Sequence, residues 1–369
     1  MSERYHFDLA TEADDAQLRA RMAEDRMEGN IAISFRREPL YFAGCRVQGE
    51  STTVIKCVDS AEGRIIGLGT RSTAMMYVEG RPERIGYLAD LRAAPAYRRG
   101  TLLARGYRFL RQLHERDPVS FYVTVIYEGN KPALDALIGA RAGLPVYRDA
   151  GRFLTPALHL DVPRRQIRVP GIEIVRGRDE LLPEIVDFLN AQQCRKQFAP
   201  VYRTQDFGSG RFVDLHAKDF FLAVSGGKIV GTLAAWDQSR FRQTHVERYS
   251  KSLRALRPIY NLAARVSPLK PLPVPGAQIP YVVLACLAVR NDDATVFHSL
   301  LRAAYNELRR GPWHYAIAGL HERDRLAPIL REYRRIDAAG RLFTVHYPEA
   351  EQRLSALEPR VPYMEAGCV

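Results

Sequence analysis

IGYLADLRAAPAYRRGTLLARGYRFLRQL, residues 85–113, is the stretch on which the fold of this chain turns. Ile85, Tyr87, Ala89, Leu91 and Ala93 alternate with Gly86, Leu88, Asp90 and Arg92, the two-residue period of a strand. Pro95 ends it, having no N–H for a ladder bond. From Leu102 the period lengthens to a helical one. Leu102, Leu103, Gly106, Phe109, Leu110 and Leu113 share one face, and Arg105, Arg108, Arg111 and Gln112 fill the other. A cationic turn, Arg98-Arg99-Gly100-Thr101, therefore stands where a helix begins. Unpaired backbone N–H groups and the positive end of the helix dipole gather at such a point and favour a phosphate. A lone Arg-Arg-Gly is most often a solvated turn. Set between a strand and an amphipathic helix, it reads as an anion site.

Working outward, residues 5–10 read as a strand, and Asp14 and Asp15 as caps of a helix reaching about Asp25, with Leu18 and Met22 on one face. Residues 27–44 are expected to hold a short helix and a loop over the site. Residues 52–58 and 64–77 read as paired strands joined at Ala61-Glu62-Gly63, with Gly67 and Gly69 marking a bulge or close backbone approach. Beyond the pivotal helix come a strand over 119–127, a short helix through Ala133, Leu134, Leu137 and Ile138, and a last strand over 152–160.

The strand, the turn and the helix together resemble the acyl-CoA site of the GNAT N-acyltransferases. The family pattern Arg/Gln-x-x-Gly-x-Gly/Ala falls on Arg98, Arg99, Gly100, Thr101, Leu102 and Leu103, with Gly100 one place early and Thr101 and Leu103 at the small-residue places. The resemblance implies an α/β (α+β) fold, a mixed and mostly antiparallel sheet flanked by helices. It implies a CoA pyrophosphate on the amides of that turn and pantetheine between the strands over 85–93 and 119–127. A backbone N–H near Leu91, Arg92 or Ala93 would polarise the thioester. Asn130 and Ala133 match the family's Asn-x-x-Ala beside CoA, and Leu137 falls where the family often has a tyrosine acid.

Residues 161–171 carry Pro163, Arg164, Arg165, Arg168 and Pro170, which is linker chemistry. The expected division is a first GNAT-like domain over 1–162, a linker over 163–171 and a second, altered copy over 172–369. The second part repeats the order of elements: a strand over 172–176, a helix through Leu181 to Leu189, a hairpin over 220–236 about Gly226-Gly227, a buried strand over 281–289, a helix from Val296 to Leu308 and a strand over 315–320. Local echoes run in the same order. Gly67 after Ile65-Ile66 recurs as Gly231 after Ile229-Val230, and Leu103, Tyr107 and Leu110 recur as Leu301, Tyr305 and Leu308. The phosphate turn does not recur: Arg290-Asn291-Asp292-Asp293 places two carboxylates where the first copy has Arg98-Arg99-Gly100. An acidic cap repels a pyrophosphate, so one CoA site per chain is expected, in the first half. Two stretches remain. A basic, Pro-rich insertion over about 250–280 is expected to be a lid or a mobile excursion. The tail over 360–369 is expected to be a C-terminal strand.

Amine acylation needs a proton acceptor within reach of the incoming amine. Asp90, late in the pivotal strand, is the first candidate, and Glu128, at the end of the next strand, the second. In some tandem relatives of the family, the N-myristoyltransferases, the terminal carboxylate is the base; here that group belongs to Val369. The expected donor is acetyl-CoA or another acyl-CoA, used as a substrate and without a metal, and the expected acceptor is a small-molecule or peptide amine. The contrasting expectation is a non-catalytic acyl-CoA-binding sensor on the same scaffold, favoured by Thr101, Leu103 and Leu137.

Composition agrees with an anionic small ligand. The 369 residues carry a formal net charge of +12, mostly from arginine and spread along the chain, with no basic-and-aromatic motif of the kind that binds nucleic acid. The nine histidines show no triad or metal spacing; His314 and His321 read as structural. Five scattered cysteines, a polar N-terminus and a longest apolar run, 279–289, well short of the ~20 residues of a membrane span read as a soluble cytoplasmic protein.

Overall fold

In the computed structural model, which describes residues 4–98, 101–138 and 143–369, the pivotal strand spans Arg81–Ala93 and lies fourth in an eight-stranded sheet. The strand order is Tyr5–Leu9, Ser51–Asp59, Arg64–Val78, Arg81–Ala93, Tyr122–Tyr127, Ala339–His346, Val146–Leu154 and Leu320–His321. A second, seven-stranded sheet runs Glu173–Arg176, Phe220–Ser225, Lys228–Trp236, Tyr281–Val289, Tyr315–Ala318, Ala157–His159 and Arg335–Ile336. Both are mixed and mostly antiparallel, and helices flank them, as the α/β reading expects. In each sheet the fourth and fifth strands run parallel.

The sixth place in each sheet is filled from the other half of the chain. Ala339–His346 pairs with Tyr122–Tyr127 on one side and Val146–Leu154 on the other, and Ala157–His159 pairs with Tyr315–Ala318. The single strand expected over 152–160 is thus two strands in two sheets. Pro156, without an N–H, breaks the ladder where the chain changes sheet.

Helices cover both faces. In the second sheet Phe220 and Leu222 point to the helix Leu182–Gln193, with Ile185 and Leu189, while Phe221 and Ala223 point to the helix Ala294–Leu308, with Phe297, Leu300, Leu301 and Ala304. In the first sheet the helix Asp15–Glu24 buries Leu18 and Met22 on Val54, Ile65 and Leu68. The helix Leu102–Arg116 buries Tyr107 and Leu110 against Leu88, Ile126 and Phe343 on the opposite face. Each such side chain contributes about 1.5–3 kcal/mol when fully buried.

Three further stretches depart from expectation or add to it. Residues 27–44 contain a strand, Ile31–Arg36, which joins Gln243–Tyr249 of the second half in a small three-stranded sheet, as well as the short helix Tyr41–Arg46. The insertion over 250–280 opens with a helix, Lys251–Ala263, which holds Pro258 in its interior and is capped by the Ser250 hydroxyl. The tail is not a strand: it makes one isolated bridge at Pro362 and a short 3-10 helix, Ala366–Cys368. Its side chains fill the interior instead.

Candidate active site

The site follows from an irregularity in the pivotal strand. Its ladder with Arg64–Val78 pairs Gly67 with Ala93 and Leu68 with Arg92, then resumes with Thr70 opposite Ala89. Asp90 and Leu91 are left over as a bulge, and Asp90 takes the left-handed conformation, φ +53°. Such backbone costs a non-glycine residue about 1–3 kcal/mol and persists where the surroundings impose it, often at functional sites. On its other edge the strand pairs with Tyr122–Tyr127 only at Gly86–Tyr122 and Tyr87–Val123. Beyond that point the two strands part into a fork, spanned at its base by the Thr124 hydroxyl donating to the Leu88 carbonyl at 2.7 Å. Gly86 sets the fork's crotch: a Cβ there would lie 2.0 Å from the Tyr122 ring.

Leu91, Arg92 and Ala93 line the outer arm of the fork, with Leu91 exposed and the other two half-buried. Beyond them Arg98 folds back, its Nε donating to the Ala93 carbonyl at 2.9 Å and its Nη2 to Asp25 at 2.9 Å. Arg99 and Gly100 lie outside the described residues. Thr101 is exposed, and Leu102 and Leu103 open the helix Leu102–Arg116, with Leu103 turned into the Tyr107–Leu110 cluster. This helix has neither a side-chain cap nor an acidic residue in its first turn. No side chain of the described residues caps its first N–H groups. Asn130 caps the next helix, Lys131–Leu137, accepting from the Ala133 N–H at 3.3 Å, and Leu137 is buried in the core.

Asp90 lies in a buried polar cluster built from both halves. Gln48 Nε2 donates to its Oδ2 at 3.2 Å; Arg37 Nη2 and the Tyr41 hydroxyl stand at 3.5 Å and the Cys45 thiol at 4.0 Å. Burial pushes the Asp90 pKa up, but Arg37, Arg92 and Arg242 outweigh it, and the carboxyl lies below its ordinary value. Arg242, from the second half, holds the end of the chain. Its Nη1 donates to the Gly367 and Val369 carbonyl oxygens at 3.1 and 3.0 Å, and its Nε to Gly44 at 2.9 Å. The Val369 side chain packs on the cluster containing Tyr87, Ala89 and Val125, at the fork. Arg242, which holds Val369, is thus also one of the arginines whose charge acts on Asp90. Burial and the neighbouring Arg37 push Arg242 below its ordinary pKa. Among the described residues, Arg37 Nε, Arg242 Nη2 and Gln48 Oε1 are buried here without a hydrogen-bond partner.

Glu128 is not part of this cluster's hydrogen-bonding set. Arg152 grips its carboxylate with two bonds, 2.7 and 2.8 Å, and lowers its pKa. Arg37, Gln48 and Arg242 were not singled out by sequence. The only signal for the first two is the alternation Ile31, Ile33, Phe35, which carries the chain as a strand towards the pivotal bulge; nothing local marks Arg242.

The second half has the same fork. Gly231 pairs with Val289 and Thr232 with Ala288, then Ala234 with Ala285, leaving Cys286 and Leu287 as the bulge, with Cys286 at φ +51°. Asp90-Leu91 and Cys286-Leu287 correspond residue for residue, and the Gly67–Gly231 echo falls in register. Here the groups are already occupied. Glu365 Oε2 accepts from the Cys286 N–H at 2.9 Å and from the Tyr202 and Tyr363 hydroxyls at 3.0 Å, Tyr363 accepts from the Leu287 N–H at 3.3 Å, and Gln193 donates to the Leu287 carbonyl at 2.8 Å. The following helix, Ala294–Leu308, is capped by Asp293, which accepts from Thr295 and Val296.

No family model and no curated protein sequence matches this chain. Solved structures do. Saccharomyces cerevisiae N-myristoyltransferase with bound myristoyl-CoA is similar over 99% of this chain and 85% of its own, at 10% identity and a TM-score of 0.60. The glucosamine N-acetyltransferase region of a fungal multi-domain GH3 β-N-acetylglucosaminidase matches 92% of this chain and 38% of that one, at 11% identity and a TM-score of 0.59. A GCN5-related N-acetyltransferase from Sphaerobacter thermophilus matches over 100% of both chains, at 12% identity and a TM-score of 0.54.

Proposed function

We propose that this chain, whose fold is that of the GCN5-related N-acyltransferases, transfers an acyl group from acyl-CoA to an amine, using the fork of its first half alone. The observation that carries this reading is the contrast between two equivalent forks: side chains of the tail take the bulge N–H groups of one, and among the described residues no side chain takes those of the other. The helix Leu102–Arg116, uncapped, offers its N-terminus to the pyrophosphate, with Arg98 beside it. Pantetheine then lies in the fork, and the thioester oxygen meets backbone N–H groups of the Asp90–Leu91 bulge, dipoles fixed in advance of the charge they stabilise.

The acceptor approaches the polar cluster around Asp90, where the halves meet. Asp90, kept ionised by three arginines, is the counter-ion of the incoming ammonium; a carboxylate held to a low pKa is a poor base. That leaves the terminal carboxylate of Val369 to take the proton. Arg37 Nε and Arg242 Nη2 ask for an anion on the acceptor itself. An amino acid, or a peptide end with a carboxylate nearby, answers that need; a polyamine does not. The donor extends from acetyl-CoA to longer acyl-CoAs, and residues 163–171 link two halves that exchange strands.

The test is thiol release from a series of acyl-CoAs offered amino acids and the matching decarboxylated amines. Release with amino acids is expected. Asp90→Asn should raise the acceptor KM, and one glycine added after Val369 should lower kcat about 10²–10⁴-fold. Binding of CoA without release from any amine would favour the sensor, and no binding at all would end the enzymatic reading.

A further inference from the structure

The helix Lys251–Ala263 is amphipathic, and its apolar side faces away from the protein. Leu256, Ile259 and Leu262 are 58, 69 and 63% exposed, and Val266, just past the helix, is 91% exposed. With Ala255 and Ala263 these residues recur at helical spacing and form one continuous ridge. No residue of this helix is buried. Its inner side, Leu253, Arg257, Tyr260 and Asn261, is half-buried and held mainly by polar contacts. Arg257 and Asn261 donate to the Leu272 carbonyl at 3.2 and 3.0 Å, and Asn261 accepts from the Leu272 N–H at 2.8 Å. The usual arrangement, apolar side inward and charge outward, is reversed.

Charge identifies the occupant. Between Glu247 and Asp292 the chain has no acidic residue, while Arg248, Lys251, Arg254, Arg257, Arg265 and Lys270 fall within it. Three of these are engaged: Arg248 pairs with Glu28, Arg257 donates to the Leu272 carbonyl, and Lys270 donates to the carbonyls of Arg309 and Gly311. Among the described residues Lys251, Arg254 and Arg265 enter no ion pair, and all three are exposed beside the ridge. An apolar ridge edged by unpaired cations matches the interface of a bilayer that carries negative headgroups: the aliphatic side chains enter the acyl boundary and the cations meet the phosphates. A protein partner would have to bring a complementary acidic rim around an apolar groove.

The geometry points to Lys251–Ala263 as a helix that lays the protein on an anionic lipid surface without crossing it. This surface is separate from the forks and from the residues around Asp90, and it stands whether or not the chain is a transferase. No helix among the described residues is long and apolar enough to span a bilayer.

The experiment is co-sedimentation of the full chain with vesicles of phosphatidylcholine alone and of phosphatidylcholine with phosphatidylglycerol. Binding to the second and weak binding to the first are expected, with loss of binding as salt rises. Leu256→Ser, Ile259→Ser and Leu262→Ser combined should weaken binding about tenfold or more, and Arg254→Ala with Arg265→Ala should weaken it less. Because all five side chains are exposed, the melting temperature should not change, which separates lost docking from lost folding. Equal sedimentation of wild type and serine variant, or none with either vesicle, would overturn the proposal. So would a wild-type dimer in solution that the serine substitutions dissociate, since the ridge would then be an interface between copies.

Discussion

Two forks with the same backbone differ in what satisfies them. In the first, the bulge residue is Asp90, set among guanidinium groups with unmet hydrogen bonds, and the next helix begins uncapped. In the second, the bulge residue is Cys286, its N–H and its neighbour's are taken by Glu365 and Tyr363, and the next helix is capped by Asp293. The tail therefore does in the second fork what a thioester would do in the first: it presents oxygen to the bulge's amides. Four residues after Glu365, the same tail reaches Arg242 through the Val369 oxygen. One segment thus takes the bulge N–H groups of the second fork and ends against the arginine beside the first.

The largest effect should come from separating the forks. Each sheet takes its sixth strand from the other half, so fragments 1–162 and 163–369 expressed alone should lack a cooperative melting transition and regain it when co-expressed. Independent folding of either fragment, read by circular dichroism, would mean that the exchanged strands are dispensable.

Emptying the second fork is the next largest change. Glu365→Ala leaves the Cys286 N–H and two buried hydroxyls without their acceptor, at a cost of about 2–4 kcal/mol in chemical denaturation. Glu365→Gln keeps an acceptor and should cost less. It should also change the pH profile. Burial raises the folded pKa of Glu365, so the native state keeps a proton that the unfolded chain has released. That contribution is full in acid and declines as pH climbs from the ordinary carboxylate range through the raised value. The glutamine variant should flatten the decline, and an unchanged slope would mean that Glu365 does not titrate there.

The caps give the smallest and most selective contrast. Asp293→Ala should cost about 1 kcal/mol of stability and leave CoA affinity untouched. Thr101→Asp supplies the missing cap to the other helix; it should hold or raise the melting temperature while weakening CoA about tenfold. If both substitutions changed affinity alike, the two helix ends would not be the distinct sites described above.

The sequence carried the elements whose side chains alternate or recur on one face. The pivotal strand, its helix, the hairpin over 220–236 and their counterparts are legible for that reason, and Asp293 beside Arg98 already separates the two helix starts. Ala339–His346 was not legible: Leu342 packs on one side and Phe343 and Val345 on the other, so a strand buried on both faces shows no two-residue period. The change of sheet at Pro156 was hidden because a break in a ladder does not say where the chain goes next. Of the polar cluster, Asp90 and Val369 could be picked out, but Arg242 could not. It lies far from both in sequence and reaches them only through the docking of Gln243–Tyr249 on Ile31–Arg36.

Hydrogen exchange of the full chain with and without acetyl-CoA tests the central claim most directly, because it reads both forks in one sample. Slowed exchange across residues 86–105, with residues 281–296 unchanged, is the expected result. Protection of 281–296, or of neither stretch at saturating CoA, would contradict the account.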